Sequence, residues 1–365
     1  MTNEDNITHL DFTNLLASGA LLREGGEGTQ ERVLLMWGPF EPVADAEKQG
    51  ISISCPLFYD STTPVFLRPQ RAQWLTKWQF QRAAVRALEE FSESEVNVSW
   101  KEPDRAEYER AFARIQNLIQ QGQIDKAVPM VFATAQGAPT EAQKLRWILS
   151  LLDVPTSLHV YGFWDGSLGV LGATPELLFD LEGLELRTMA LAGTLAREDG
   201  SAVELLRSAK DQKEHRYVVD DLRDELSRLG SPVRVGETRV KELPSLLHLQ
   251  TELSVTLSET PDWATLIQRL HPTPALGVFP RRYGWRWMSE LPGQANRGFF
   301  GAPLTIHLGQ GRVRSLVAIR NIQWQGSQLQ LGSGGGVVKE SQLEAEWNEL
   351  FRKRQAVLRL LGMMK

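Results

Sequence analysis

The chain is poor in the residues that staple small secreted folds and in those that hold zinc. One cysteine, Cys55, stands among 365 residues. It excludes an internal disulfide framework, suits a reducing compartment and reads as a small buried hydrophobe. The six histidines show no HExxH or comparable ligand spacing, so zinc is not expected. No run approaches the roughly 18 uninterrupted apolar residues of a membrane-spanning helix. The opening Met1-Thr-Asn-Glu-Asp-Asn6 has neither the basic nor the apolar region of a signal peptide, and a cytoplasmic protein is expected. Positive charge is not in excess either. Lys and Arg number 40 against 45 Asp and Glu, a net charge of −5, which excludes the basic footprint of a nucleic-acid binder. A Gly-x-Ser-x-Gly elbow is absent. Gly332-Ser-Gly-Gly-Gly336 lacks the Gly-Lys-Ser/Thr ending of a nucleotide loop, and offers only backbone amides that an anion can approach closely.

What is present is a globular composition, 42% hydrophobic and 23% charged, with 11 tryptophans for a bulky core. At roughly 100–200 residues per domain the length predicts two domains, although one large mixed sheet also accommodates it. Short strands broken by Gly and Pro are expected over 1–75. Two helices follow, one carrying Trp78, Phe80, Ala84, Ala87, Leu88 and Phe91, the other Tyr108, Phe112, Ile115, Leu118 and Ile119 with Gly122 as its stop. Asp125–Ala133 reads as one strand that Pro129 confines to an edge or a bulge. Strands dominate 157–195, a long helix covers 202–229, and strands return at 302–308, 312–324 and 327–331 before a last helix over 342–361. Clustered strands and clustered helices, without βαβ alternation, predict an α+β fold with antiparallel sheets.

Three places put charge where packing would not. Glu214 lies one step back along the Val218, Leu222, Leu226 stripe, so its carboxylate is either paired and buried or wet at a frayed end. Glu346, Glu349 and Lys353 interleave with Leu343, Leu350 and Val357 on one face of the last helix. That pattern fits an ordinary surface ion pair or a partly buried acid cluster, and three carboxylates from two helices suit Mg²⁺. Arg320 shares a strand face with Leu316, Ala318 and Ile322, as either an inter-strand ion pair or a grip on a substrate carboxylate.

Six segments in order then resemble the chorismate-utilising enzymes, the family of isochorismate, salicylate, anthranilate and aminodeoxychorismate synthases. They are Ala173-Thr-Pro-Glu-Leu-Leu178, Ala190-Leu-Ala-Gly-Thr194, Asp211-Gln-Lys-Glu-His-Arg216, His271-Pro-Thr-Pro-Ala-Leu276, Val317-Ala-Ile-Arg320, and Gly334-Gly-Gly-Val-Val338 followed by Glu346-Trp-Asn-Glu349. The likeness covers about 120–360. It implies a single large α+β domain, antiparallel sheets packed as a sandwich among helices, with 1–100 a variable part of the same fold and 101–365 the catalytic region. The resemblance further implies that Lys126, 50 residues before Glu176, is the general base and Glu176 the general acid. Glu214, Glu346 and Glu349 would bind Mg²⁺. Arg320, Lys353 and the Gly334 backbone would hold the enolpyruvyl carboxylate, while Gly193, Thr194, Ala275 and Leu276 line the ring. His248 matches a family active-site histidine of unassigned role, and otherwise reads as a satisfied core histidine. Lys126 is followed by Ala-Val-Pro-Met-Val-Phe132, which departs from the family's usual Lys-x-Val-Leu-x-Arg, and Thr251-Glu-Leu-Ser254 lacks a customary glycine. Ala192, where ammonia-using relatives place a nucleophilic lysine, and Pro274-Ala-Leu276 point to an isochorismate synthase acting as a monomer on chorismate without a glutaminase subunit. The alternatives are a salicylate synthase, an ammonia-using synthase subunit, or a non-catalytic chorismate-binding regulator.

Overall fold

Alternating apolar strands that bury one face need a second layer, and here a folded-over sheet supplies it. The computed structural model describes residues 10–25, 28–43, 50–61, 63–91 and 98–364. The polar start, Met1 to Asn6, lies outside them. Among the described residues 16 strands hydrogen-bond into one antiparallel sheet, and a small three-stranded sheet lies apart. Strands Ser18–Glu24, Arg32–Val43, His159–Asp165 and Leu168–Thr174 are separated from Pro303–Gly309 and Arg312–Val317 along the hydrogen-bonded order. Ala20, Leu34, Tyr161 and Val170 of the first group nevertheless pack on Leu304, Ile306 and Leu316 of the second. The sheet therefore closes on itself as a sandwich. Strands of the first hundred residues are central to it and pair with later ones, which joins both parts in one α+β domain.

Helices cover the outer faces. Glu141–Leu152 starts where Thr140 and Gln143 form a reciprocal capping box, and its Leu145, Ile148 and Leu151 pack into the cluster holding Leu21, Leu35 and Leu171. Ala209–Ser227 and Trp263–Leu270 cover the other side with Val218, Leu222, Leu226, Leu266 and Ile267. Each such side chain removed from water contributes about 1.5–3 kcal/mol before chain entropy is counted. Cys55 is free and half-buried against the sandwich core.

Three expected elements are divided, and the divisions build the site. Residues 125–133 do not form one strand. Lys126–Ala127 is the middle strand of the small sheet, while Met130–Gln136 edges the large one. Pro129 has no N–H for a ladder, so the chain changes sheets there. The helix expected over 202–229 is two, Ala202–Arg207 and Ala209–Ser227. Ser208 turns extended between them and accepts from the Asp211 amide, starting the second helix afresh. The strand expected over 312–324 ends at Val317 and resumes at Asn321, with Arg320 at φ 55° between them. Arg320 is thus on a kink and not on a strand face. A non-glycine residue held there is strained, and such strain gathers at functional sites.

Candidate active site

The small sheet brings Lys126 to the centre. It pairs with Phe279 on one side and Val338 on the other, and its side chain is fully buried. Its Nζ lies 2.9 Å from Glu214 Oε1 on the Ala209–Ser227 helix. Of the two readings of Glu214, the structure selects the paired, buried one. Gly336 makes the approach possible: a Cβ there would lie 2.1 Å from Glu214 Oε1 and 2.6 Å from Lys126 Cε. No side chain fits that space.

Glu176 sits in the turn between Leu168–Thr174 and Leu177–Glu182, where its backbone N–H donates to Thr174 Oγ1 at 3.1 Å. Burial pushes its carboxyl up to about 7, against the pull of Lys126, Lys353, Arg320 and Lys241. Such a group holds its proton near neutral pH. Lys241 was not anticipated. Its Nζ donates to the Pro175 carbonyl at 2.9 Å, and burial lowers its pKa to about 8 despite Glu252 and Glu176. Its strand, Arg239–Glu242, alternates no apolar residues, so the sequence pattern gave no sign of a lysine turned inward.

Arg320 and His248 form a second pair. Arg320 donates to His248 Nε2 at 3.2 Å, and a guanidinium can only donate. That leaves the imidazole proton on Nδ1, which faces Thr194 Oγ1 at 3.1 Å and the Gly193 carbonyl at 3.3 Å. Burial and then Arg320 hold the His248 pKa well below its ordinary value, so the ring is neutral. Gly193, at φ 75°, forms the bulge between Ala192 and Thr194 that turns this carbonyl toward the histidine. The burial cause that lowers His248 also lowers Arg320, to about 10, where Glu349 and Glu176 oppose it.

The last helix, Leu343–Leu360, supplies Glu346, Glu349 and Lys353. Lys353 lies 2.6 Å from Glu349 and donates to the Gly334 carbonyl at 2.8 Å, joining helix to strand end. Glu346 is 2% exposed and lies 2.6 Å from Lys210. Burial first, and then Glu349, raise the Glu346 pKa. Lys210 was also missed, although it stands one helical step before Glu214 on the same stripe.

One cavity, about 60 Å³, is lined by Glu176, Gly193, Thr194, Glu214, His248, Ala275, Leu276, Arg320, Gly334, Glu349 and Lys353. Lys126 and Glu346 are not in its lining; Lys126 touches it through Glu214. Thirteen residues named from sequence are therefore brought to one place, eleven of them on the wall. Among the described residues no group of three His, Cys, Asp or Glu side chains forms a ready metal cage. The donor set still suits a hard cation. Glu214 presses on Gly336, while Glu346 and Glu349 both approach Gly335, where a Cβ would meet their oxygens at 3.5 and 3.8 Å. Each of the three acids faces a lysine side chain, Glu214 that of Lys126, Glu346 that of Lys210 and Glu349 that of Lys353.

Comparison with known proteins adds a family to this geometry. The profile described as chorismate binding enzyme matches residues 33–359. Isochorismate synthase EntC of Escherichia coli strain K12 is 28% identical over 336 residues, covering 88% of this chain and 84% of that protein. Salicylate biosynthesis isochorismate synthase of Pseudomonas aeruginosa is 30% identical over 268 residues, covering 71% of this chain and 55% of the relative, so this chain matches about half of that protein's length. The structure of MenF, the menaquinone-specific isochorismate synthase from Escherichia coli, superposes with a TM-score of 0.76 at 18% identity, covering 97% of this chain and 91% of that one. At that identity it shows a shared fold. Among the described residues no helix is long and apolar enough to cross a membrane.

Proposed function

The chain belongs to the chorismate binding enzyme family, and from this premise we propose that it is a Mg²⁺-dependent isochorismate synthase. The observation that carries the reading is a carboxyl held near pKa 7, Glu176, on the cavity wall, with a buried lysine, Lys126, behind that wall against Glu214. In the proposed reaction water attacks ring C2 while the C4 hydroxyl leaves, and the ring double bonds shift between them. Lys126 takes the proton of the attacking water after giving up the proton it holds in the resting pair with Glu214, and Glu176 gives its proton to the departing hydroxide. One water enters and one leaves, so the net change is an isomerisation. The two side chains then differ from their starting forms by one proton, which must return from Lys126 to Glu176 before the next turnover.

Arg320 and Lys353 are positioned to grip a carboxylate. Arg320 keeps donors free of its single bond to His248, and the neutral imidazole fixes the guanidinium without competing for an anion. Gly193 and Thr194, with Ala275 and Leu276, shape the space for the ring. Mg²⁺ held by Glu214 and Glu349, with Glu346 beside them, would supply positive charge for the ring carboxylate. The experiment is direct: purified protein with chorismate and Mg²⁺ should yield isochorismate without pyruvate or ammonium dependence, and EDTA should stop turnover until Mg²⁺ is restored. Salicylate and pyruvate as products would replace this reading with a salicylate synthase, and turnover indifferent to EDTA would reject the metal.

A further inference from the structure

The catalytic cavity is too small for the molecule it is proposed to take. About 60 Å³ is well below the roughly 300 Å³ at which small-molecule sites begin. Something must open. Beyond the cavity lies a cleft of about 1110 Å³ between the last helix, the 153–158 loop and the 243–246 turn. Arg320 lines both spaces, so a single guanidinium forms part of the wall between them. A third space, about 310 Å³, shares Thr194 and Glu349 with the cavity, and shares Ala196, Leu246, Asn348 and Arg352 with the cleft. The three spaces therefore meet along one seam, between residues 194–199 and the helix face at 345–352.

The cleft has the chemistry of a receiver for a ring acid. Arg197, Arg320, Arg352 and Arg359 face it, Arg197 paired with Glu242 and Arg352 with Asp199, beside the carboxylates of Asp153 and Glu198, and Leu243, Leu246 and Phe351 give it apolar surface. The seam is latched. Arg352 makes a bidentate pair with Asp199, its Nη2 at 3.1 Å from Oδ1, and its Nε lies 3.4 Å from Glu198. That pair ties the last helix to the turn that follows Thr194.

We propose that this cleft is an outer binding site for the ring dicarboxylate, from which the substrate passes Arg320 into the catalytic cavity when the Arg352–Asp199 latch parts. The proposal rests on the reading of the cavity as a chorismate site. Arginine side chains such as Arg320 and Arg359 on the wall of a cleft draw an anion locally, and salt weakens that effect. The proposal is tested by stopped-flow tryptophan fluorescence of the whole chain mixed with chorismate and Mg²⁺. Ser245→Trp, which fills the cleft, should slow association at least tenfold. Arg359→Glu, which reverses the charge at the helix end, should slow it about threefold or more at low salt and flatten its salt dependence. Asp199→Ala should speed it. Wild-type association rates and salt dependence in both Ser245→Trp and Arg359→Glu would overturn the outer site. Absence of any chorismate signal in the wild-type protein would instead overturn the functional reading.

Discussion

Two interiors lie side by side in this molecule and are held in different ways. The sandwich core is filled by Leu22, Leu34, Ile53, Leu304 and Leu316, each shielded from water and each satisfied by packing alone. The candidate site is nearly as well shielded, yet on the cavity wall and just behind it stand Lys126, Glu176, Glu214, His248, Arg320 and Glu346. There the charged groups are tied inside the fold: Lys126 has Glu214, Glu346 has Lys210, and Arg320 donates to Nε2 of the neutral His248, whose Nδ1 faces Thr194 and the Gly193 carbonyl. Desolvating such pairs returns little or no net stability, whereas removing one partner strands the other. The first interior therefore explains why the chain folds, and the second is the part of the fold that only chemistry explains.

The contrast can be broken by mutation. The largest expected effect is on Glu214→Gln, which leaves the Lys126 ammonium without its carboxylate and should cost about 3–5 kcal/mol in urea unfolding. The double change Lys126→Met with Glu214→Leu should recover most of that loss while turning over nothing. A double mutant no more stable than Glu214→Gln would show that the pair stabilises the fold like any core contact. In the sandwich, Leu22→Ala should cost about 2–5 kcal/mol through its cavity, and the folded fraction should keep its turnover within a few-fold. Activity lost there beyond the loss of folded protein would blur the division between the two interiors.

A smaller effect is read by pH. Glu176 is raised to about 7, so the protonated acid needed for the leaving hydroxyl is present below that pH and lost above it, giving an alkaline limb near 7. Lys241→Met removes one of the four cations that restrain this shift and should move the limb upward while Pro175 loses a hydrogen bond. A lower rate with an unmoved limb would give Lys241 a purely structural role. A carboxyl whose folded pKa lies above its unfolded value contributes most below about pH 4.5 and loses that contribution as pH rises through 7, so Glu176→Gln should flatten the decline between those values.

The sequence carried the composition of the site more fully than its shape. Periodicity placed Glu214 and Glu346 on otherwise apolar helix faces, and the family resemblance joined them to Lys126, Glu176 and Arg320. The breaks escaped it, because each depends on a local exception to the pattern. Pro129 marks where the chain changes sheets, although in sequence it reads only as an edge signal. Ser208 divides a helix whose apolar period continues through it, since its cap competes with propagation. The positive φ of Arg320 leaves no trace in residue type, because arginine has no preference for that conformation. Lys241 and Lys210 were missed for another reason: each acts through a partner far along the chain, Pro175 and Glu346, and pairing at that range has no sequence period.

The proposed division of labour between Lys126 and Glu176 is tested most directly by chorismate turnover in Lys126→Ala and Glu176→Gln, with chorismate binding measured alongside. Each variant should bind chorismate and lose roughly 10²–10⁴ in kcat, the range a positioned acid or base supplies. Turnover within a few-fold of wild type in either variant would contradict the account.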